Sequence, residues 1–244
     1  MKDQRWRARN AGRRLLAGLP PVGGPVCPEA PTTVYRVLVS LYRFAGVFVG
    51  GEPAVDWGCG TGFGSAQLLE AGARSVVGLD PDRASIRYAR RRFGRPGLEF
   101  RVAEIDLASG ELPAAGRWVA VGTLARLPDP EAVLPRIAAA LPPAGLLVAS
   151  VPPVLDGPTL ELHRARHPEA ARFFLWDWAD LLGRTFREVR LFGHHPPEGV
   201  RLELASPLPS RLDPAGFRFD EVPVADLDNV GTLGAVFVAS KPAV

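Results

Sequence analysis

Ala54-Val-Asp-Trp-Gly-Cys-Gly-Thr-Gly-Phe-Gly64 decides the fold: a short apolar strand runs into four glycines at alternate positions, Gly58, Gly60, Gly62 and Gly64. That spacing would ruin the interior of a strand or helix, because each glycine costs backbone entropy and packs nothing. It suits a backbone that must bend sharply and let a ligand come close. Ser65-Ala-Gln-Leu-Leu-Glu-Ala71 then reads as helix, so the turn sits at a helix N-terminus, where unpaired N–H groups favour anionic groups. Ser75-Val-Val-Gly-Leu-Asp80 is a second buried strand ending in an acid. An acid about 20 residues beyond such a turn is placed to take ribose hydroxyls in a nucleotide-binding βαβ unit.

The same alternation continues outward. Pro81-Asp82 starts a helix to about Phe93, with Ile86 and Ala89 inward and Arg83, Arg87, Arg90, Arg91 and Arg92 mostly outward. Leu98–Val102 is a third strand, followed by Ala103-Glu104-Ile105-Asp106, and Trp118–Val121 is a fourth. Pro128-Asp-Pro-Glu131 opens a helix reaching Leu141, and Gly145–Val151 is a fifth strand. Upstream, Thr32 or Thr33 offers a cap for a helix from Val34 to about Phe48, whose Val34, Leu38, Leu41, Tyr42 and Ala45 share a face. Strands alternating with helices predict an α/β domain, a mostly parallel sheet with helices on both faces. Ligands then bind at the carboxyl ends of the strands, where Asp80, Glu104 and the 121–123 stretch fall.

The glycine spacing separates two cofactor classes. A dinucleotide fingerprint is G-x-G-x-x-G; counted from Gly58 it meets Phe63, and counted from Gly60 it meets Ser65. Both registers fail, which disfavours NAD. Val55-Asp-Trp-Gly-Cys-Gly-Thr-Gly62 instead resembles the first motif of class I S-adenosylmethionine-dependent methyltransferases, hydrophobic-Asp-x-Gly-x-Gly-x-Gly. The resemblance extends over about residues 34–155, through Leu127-Pro-Asp-Pro-Glu131 and Pro142-Pro-Ala-Gly145. It implies a Rossmann-like seven-stranded, mostly parallel sheet whose last strand is antiparallel, with Phe173 to Phe192 and Gly231 to Ala239 supplying its final elements. It also implies S-adenosylmethionine as cofactor and S-adenosylhomocysteine as product.

Carried residue by residue, the resemblance gives Asp80 both ribose hydroxyls and Glu104 the adenine amino group, with Ile105 beside the ring. Asp56, Gly58 and Gly60 stand around the methionine end, and Cys59, Gly62, Pro81 and Thr123 complete the expected cofactor-binding set. Two positions depart from the family pattern. Trp118-Val119 stands where relatives often have an aromatic residue and Asp, and Ala125-Arg126 where they have an acid and His. Methyl transfer from a sulfonium runs largely on positioning and desolvation, and needs a base mainly when the acceptor must lose a proton early. The catalytic base is therefore left open. Its candidates are His163 and His167, which share a helix face at i, i+4, and His194 and His195 after a sixth strand, Phe186–Phe192.

Composition sets the outer limits. The 244 residues, 47% hydrophobic and 23% charged, suffice for one α/β domain with a full core. The net charge is only +3, with 27 arginines against 2 lysines, so single arginines carry little weight. Cys27 and Cys59 form no disulfide framework, and no Cys/His spacing marks a metal site. Residues 1–31 read as a basic arm and a Pro/Gly-rich linker, 32–244 as the methyltransferase domain, 32–50 as its entrance helix, and 193–231 as an insertion serving as lid or oligomer contact. Val200–Leu204 in that insertion alternates like a short strand. Leu15–Leu19 is too short for a signal-peptide core and no stretch approaches a membrane span, so a cytoplasmic location is expected. The leading functional expectation is methyl transfer to a small-molecule, glycan or lipid-like acceptor. The alternatives are an RNA methyltransferase using the basic arm, whose nucleic-acid affinity would fall steeply with salt, and a catalytically weak donor-binding or scaffold protein.

Overall fold

Val55, Trp57, Trp118, Ala120, Leu147 and Ala149 lose nearly all contact with solvent on one side of the sheet, and Ala54, Val119 and Val148 on the other. Strands buried on both faces read as continuous apolar runs. The computed structural model describes residues 26–29, 33–104, 112–165, 167–200, 212–223 and 233–242. In chain order they form α1 (Thr33–Gly46), β1 (Pro53–Trp57), α2 (Phe63–Glu70), β2 (Ser75–Asp80), α3 (Arg83–Phe93), β3 (Leu98–Val102) and β4 (Arg117–Val121). After a 3-10 turn at Leu124–Arg126 come α4 (Pro130–Ala140), β5 (Leu146–Val151), α5 (Gly157–Arg164), α6 (Leu175–Thr185) and β6 (Phe186–His195). A second 3-10 turn at Pro214–Gly216 precedes β7 (Arg218–Val222) and β8 (Gly234–Pro242).

The strands pair in the order β3-β2-β1-β4-β5-β8-β6-β7. The pairings from β3 through β5 are parallel, and β8 inserts antiparallel between β5 and β6. Residues of α1, α2 and α3 pack with Ala54, Val76, Phe100 and Val148 on one face, and residues of α4 and α6 with Trp57, Trp118, Leu147 and Phe237 on the other. Trp57 and Trp118 meet edge-to-face at 6.3 Å in that second layer, where truncating either to Ala costs about 3–5 kcal/mol. Asp82 caps α3 by accepting from Ala84 and Ser85 N–H, and Asp129 caps α4 by accepting from Ala132 N–H. Pro130 opens α4, where a missing N–H is harmless.

The sheet has eight strands where seven were expected. The additional one, β7, pairs antiparallel with the outer edge of β6. Its sequence, Arg-Phe-Asp-Glu-Val, is mostly exposed and has no apolar alternation to announce it; the bidentate Arg190–Glu221 pair (2.8 and 2.7 Å) crosses that edge. It lies within the expected 193–231 insertion, so residues 212–223 extend the sheet and pack on α1, where Arg36 Nη1 donates to the Leu212 carbonyl. β6 also runs three residues further than expected, so His194 and His195 belong to a strand and not to the loop after it. The basic arm, Ile105 and Val200–Leu204 lie outside the described residues, Val200 excepted. No helix among the described residues is long and apolar enough to cross a membrane.

Candidate active site: a glycine turn beside a basic cavity

β2 and β3 extend the sheet to one side of β1 and β4 and β5 to the other, so the order reverses between β1 and β4. Such a reversal opens a crevice at the carboxyl ends of the strands. The glycine turn fills its floor. Gly58 and Cys59 both donate to the Leu79 carbonyl (2.8 and 2.9 Å), tying the turn to the end of β2, and Gly62 N–H closes it onto the Cys59 carbonyl. Gly58, Gly60 and Gly62 all take positive φ (78°, 52° and 85°), a region that L side chains enter at a cost. Around Gly60 a Cβ would meet nothing within 4 Å, so its bare backbone faces open space, whereas at Gly62 it would strike Ala89 and Phe100 at 2.7 Å. One glycine keeps the crevice open and the other lets α2 close on α3 and β3.

Asp80, at the end of β2, accepts from Gly60 N–H at 2.8 Å and from Asp82 N–H at 2.9 Å. Each carboxylate oxygen keeps a second acceptor position, so the group holds the turn and still has capacity for hydroxyl donors. That capacity, the open face of Gly60 and the exposed Glu104 at the end of β3 fit an adenosine-bearing ligand lying across β1, β2 and β3. Asp56 is different. It is fully buried and accepts from Tyr42 Oη (3.0 Å) and Ser65 Oγ (2.6 Å). Tyr42 reaches it because Gly64 has no side chain: a Cβ there would lie 2.0 Å from the Tyr42 ring. Burial outweighs both hydroxyl bonds and pushes the Asp56 carboxyl from 3.8 up to about 7.

The other expected binding residues divide. Cys59 is buried among apolar neighbours of α2, and burial pushes its thiol up. Thr123 spends its hydroxyl on the Trp57 carbonyl at 2.6 Å, joining the ends of β4 and β1. Pro81 is exposed beside Asp80.

On the other side of the turn lies a cavity of about 170 Å³ at the carboxyl ends of β4 and β5, roofed by Val34, Leu38 and Leu41 of α1. Its polar lining is Arg126, Ser150, His163, His167 and His194; none of its lining residues is an acid. Three of the four histidines, separated by up to 31 positions, therefore converge here. The His163 and His167 rings lie 4.9 Å apart. His163 Nε2 is 2.7 Å from the Ala125 carbonyl, which only accepts, so Nε2 carries the proton and pins the 3-10 turn. Ser40 Oγ donates to the Val37 carbonyl and lies 3.0 Å from His194 Nε2, so His194 donates to Ser40. Burial pushes His194 down to about 3, leaving it neutral at ordinary pH. His195, next along β6, points to the opposite face; its Nε2 lies 3.4 Å from Asp220, and it is not part of the cavity lining.

Arg126 joins the two halves. Its Nε donates to the Gly122 carbonyl at 3.0 Å, and its Nη2 lies 3.1 Å from where a Cβ on Gly58 would stand. Among the described residues no carboxylate pairs with it. Sequence reading noted this arginine only as a departure from a pattern; its position just past β4, at the reversal of strand order, was the available signal. Among the described residues no three His, Cys, Asp or Glu side chains are grouped to hold a metal ion.

Residues 54–145 match the family model described as a methyltransferase domain. The chain is 33% identical over 161 residues to a trans-aconitate 2-methyltransferase of Variovorax paradoxus, covering 65% of this chain and 58% of the relative. It is 31% identical over 158 residues to the O-methyltransferase cnsE of Penicillium expansum, covering 60% and 57%. The chain thus spans somewhat over half the length of these relatives. A solved S-adenosylmethionine-dependent methyltransferase from Thermotoga maritima shares the fold with a TM-score of 0.59 at 18% identity, over 84% of this chain and 88% of that one.

Proposed function

From the premise that this chain carries a class I S-adenosylmethionine-dependent methyltransferase domain, we propose that it methylates a carboxylate oxygen of a small organic acid, and that trans-aconitate, named for its bacterial relatives, is the first acceptor to test. The observation that carries this reading is the cavity beside the glycine turn, lined by one arginine, three histidines and no acid. An apolar cavity of about 150 Å³ holds a benzene-sized guest, so a compact acid suits a cavity of this volume better than a glycan or lipid chain.

In this reading Asp80 takes the ribose hydroxyls, Glu104 and Ile105 the adenine, and Gly58 and Gly60 the methionine end. Asp56 acts from beneath, as the fastener of β1, α1 and α2. When bound, S-adenosylmethionine supplies an electrophilic methyl group on a sulfonium. An acceptor carboxylate oxygen would take that methyl, one C–O bond replacing the C–S bond whose electron pair stays on sulfur, and no proton would need to move. That balance accounts for the two departures from the family pattern. A hydroxyl acceptor needs a base, whereas a carboxylate is ionised near neutral pH. Val119 is apolar and buried, so the position where the family pattern has Asp supplies no base here, and a carboxylate acceptor requires none. The chain's contribution is to bind, orient and exclude water.

The test incubates the purified protein with S-adenosylmethionine and a panel of di- and tricarboxylic acids, their esters, and neutral sugars, following S-adenosylhomocysteine release and ester mass. Monomethyl ester from one or more acids, and nothing from the neutral acceptors, is expected. Turnover confined to hydroxyl or amine acceptors would refute the acceptor class, and donor binding without turnover would favour the scaffold reading.

A further inference from the structure

Resting on the carboxylate reading above, we infer that Arg126 is the acceptor anchor and that its position makes donor and acceptor binding mutually dependent through charge. Three observations converge on it. Arg126 lines the acid-free cavity. Among the described residues it has no carboxylate partner, in a chain where exposed arginines such as Arg92, Arg101 and Arg190 each pair with a glutamate. Its guanidinium also reaches Gly58, on the β4 side of the glycine turn whose Gly60 N–H Asp80 holds.

That last placement has an electrostatic consequence. With ribose at β2 and adenine at β3, the remaining direction for the methionine end is toward β1 and β4, where Gly58 and Arg126 sit. The sulfonium and the guanidinium are both cations, so a guanidinium on the sulfur side of the crevice disfavours the charged donor relative to its neutral-sulfur product, the amino-acid carboxylate and ammonium being common to both. An acceptor carboxylate bridging them removes the repulsion and makes two N–H···O bonds to the planar fork of the guanidinium. After transfer the sulfur and the newly esterified carboxyl are both neutral, so the group held by the fork has lost its charge and the products are held less tightly. Arg126 would thus favour the complete ternary complex over donor alone, and reactants over products.

The experiment measures binding as well as turnover. Titration calorimetry gives affinities for S-adenosylmethionine and S-adenosylhomocysteine in the wild type, Arg126→Gln and Arg126→Lys, with a thermal melt on each to establish folding. Steady-state kinetics are run with the best carboxylic acid found for the wild type. In Arg126→Gln the affinity for S-adenosylmethionine relative to S-adenosylhomocysteine should rise about fivefold, because only the former carries the sulfonium. The acceptor KM should rise about 10- to 100-fold. Arg126→Lys keeps the charge without the fork, so it should leave the donor ratio near wild type and raise the acceptor KM by a smaller factor. An unchanged donor ratio, or an unchanged acceptor KM, in Arg126→Gln overturns this inference while leaving the carboxylate reading intact. A wild type that turns over no carboxylic acid overturns that reading first, and the anchor with it.

Discussion

Asp56 and His194 make stability depend on pH in opposite senses, and replacing either one exposes the other. Burial raises the Asp56 carboxyl from 3.8 to about 7, so between those values the folded chain holds a proton that the unfolded chain has released. Stability then falls as pH rises through that window. Burial, assisted by the neighbouring His195, lowers His194 from 6.5 to about 3, so between those values the unfolded chain holds the additional proton. Stability there rises with pH. Each slope is about 1.4 kcal/mol per pH unit, and the two windows overlap from about pH 4 to pH 6.5. Across about pH 4.5 to 6 each contributes about 2 kcal/mol with opposite sign, so they offset. Unfolding free energies from urea titrations should change little over that interval in the wild type. In Asp56→Asn, with the neutral side chain still bridging Tyr42 and Ser65, they should climb by about 2 kcal/mol; in His194→Gln they should fall by a similar amount. The double variant should run parallel to the wild type, since His195, also lowered by burial, contributes equally to both. Surface carboxylates such as Glu221, held low by Arg190, add the same background to every variant and drop out of the comparison. Single variants whose pH profiles run parallel to the wild type would refute the reasoning.

Three further outcomes follow from the geometry. Gly60→Ala should lower stability by only about 1 kcal/mol, the left-handed backbone penalty, yet weaken donor binding at least tenfold by calorimetry, because its Cβ enters the open crevice; equal losses in both would argue against a ligand there. Gly64→Ala should destabilise by more than about 2 kcal/mol in chemical denaturation, since the Tyr42 ring has nowhere to go without releasing Asp56, and Tyr42→Ala in the same chain should recover part of the loss. Asp80→Ala should leave a folded protein, by circular dichroism and melting, whose affinity for S-adenosylmethionine is about 100-fold weaker through loss of two charge-assisted bonds.

The sequence disclosed most where one stretch of chain had to satisfy a constraint alone. Alternate glycines between an apolar strand and a helix admit few explanations, and the left-handed turn at Gly58, Gly60 and Gly62 is what that spacing required. The strands β1, β2, β4 and β5 were equally legible, because burial on both faces leaves mainly apolar runs, and β3 through the alternation of buried Leu98 and Phe100 with exposed Glu99 and Arg101. β7 was not, since an exposed edge strand needs no apolar face and is defined by what it pairs with. The basic cavity was hidden for a related reason. Ser40, Arg126, His163 and His194 are spread over 155 positions and are brought together by the parallel crossovers, which no local pattern encodes. Each of the four taken alone resembles an ordinary surface or core residue.

Helix α1 shows how the two halves of the site depend on one another. Its residues Tyr42 and Ser40 lie two positions apart, so they leave the helix on different sides. Tyr42 reaches Asp56 beneath the glycine turn, and Ser40 reaches His194 at the cavity. Leu38 and Leu41 form part of the cavity wall between them. Loosening α1 therefore disturbs the support of the donor side and the wall of the acceptor side in one step. Its attachment is polar on both sides, a phenol on a carboxyl and a hydroxyl on an imidazole, and both carry the opposed pH dependences argued above. Docking of α1 thus joins the two halves of the crevice through the same two groups whose burial makes global stability depend on pH in opposite senses.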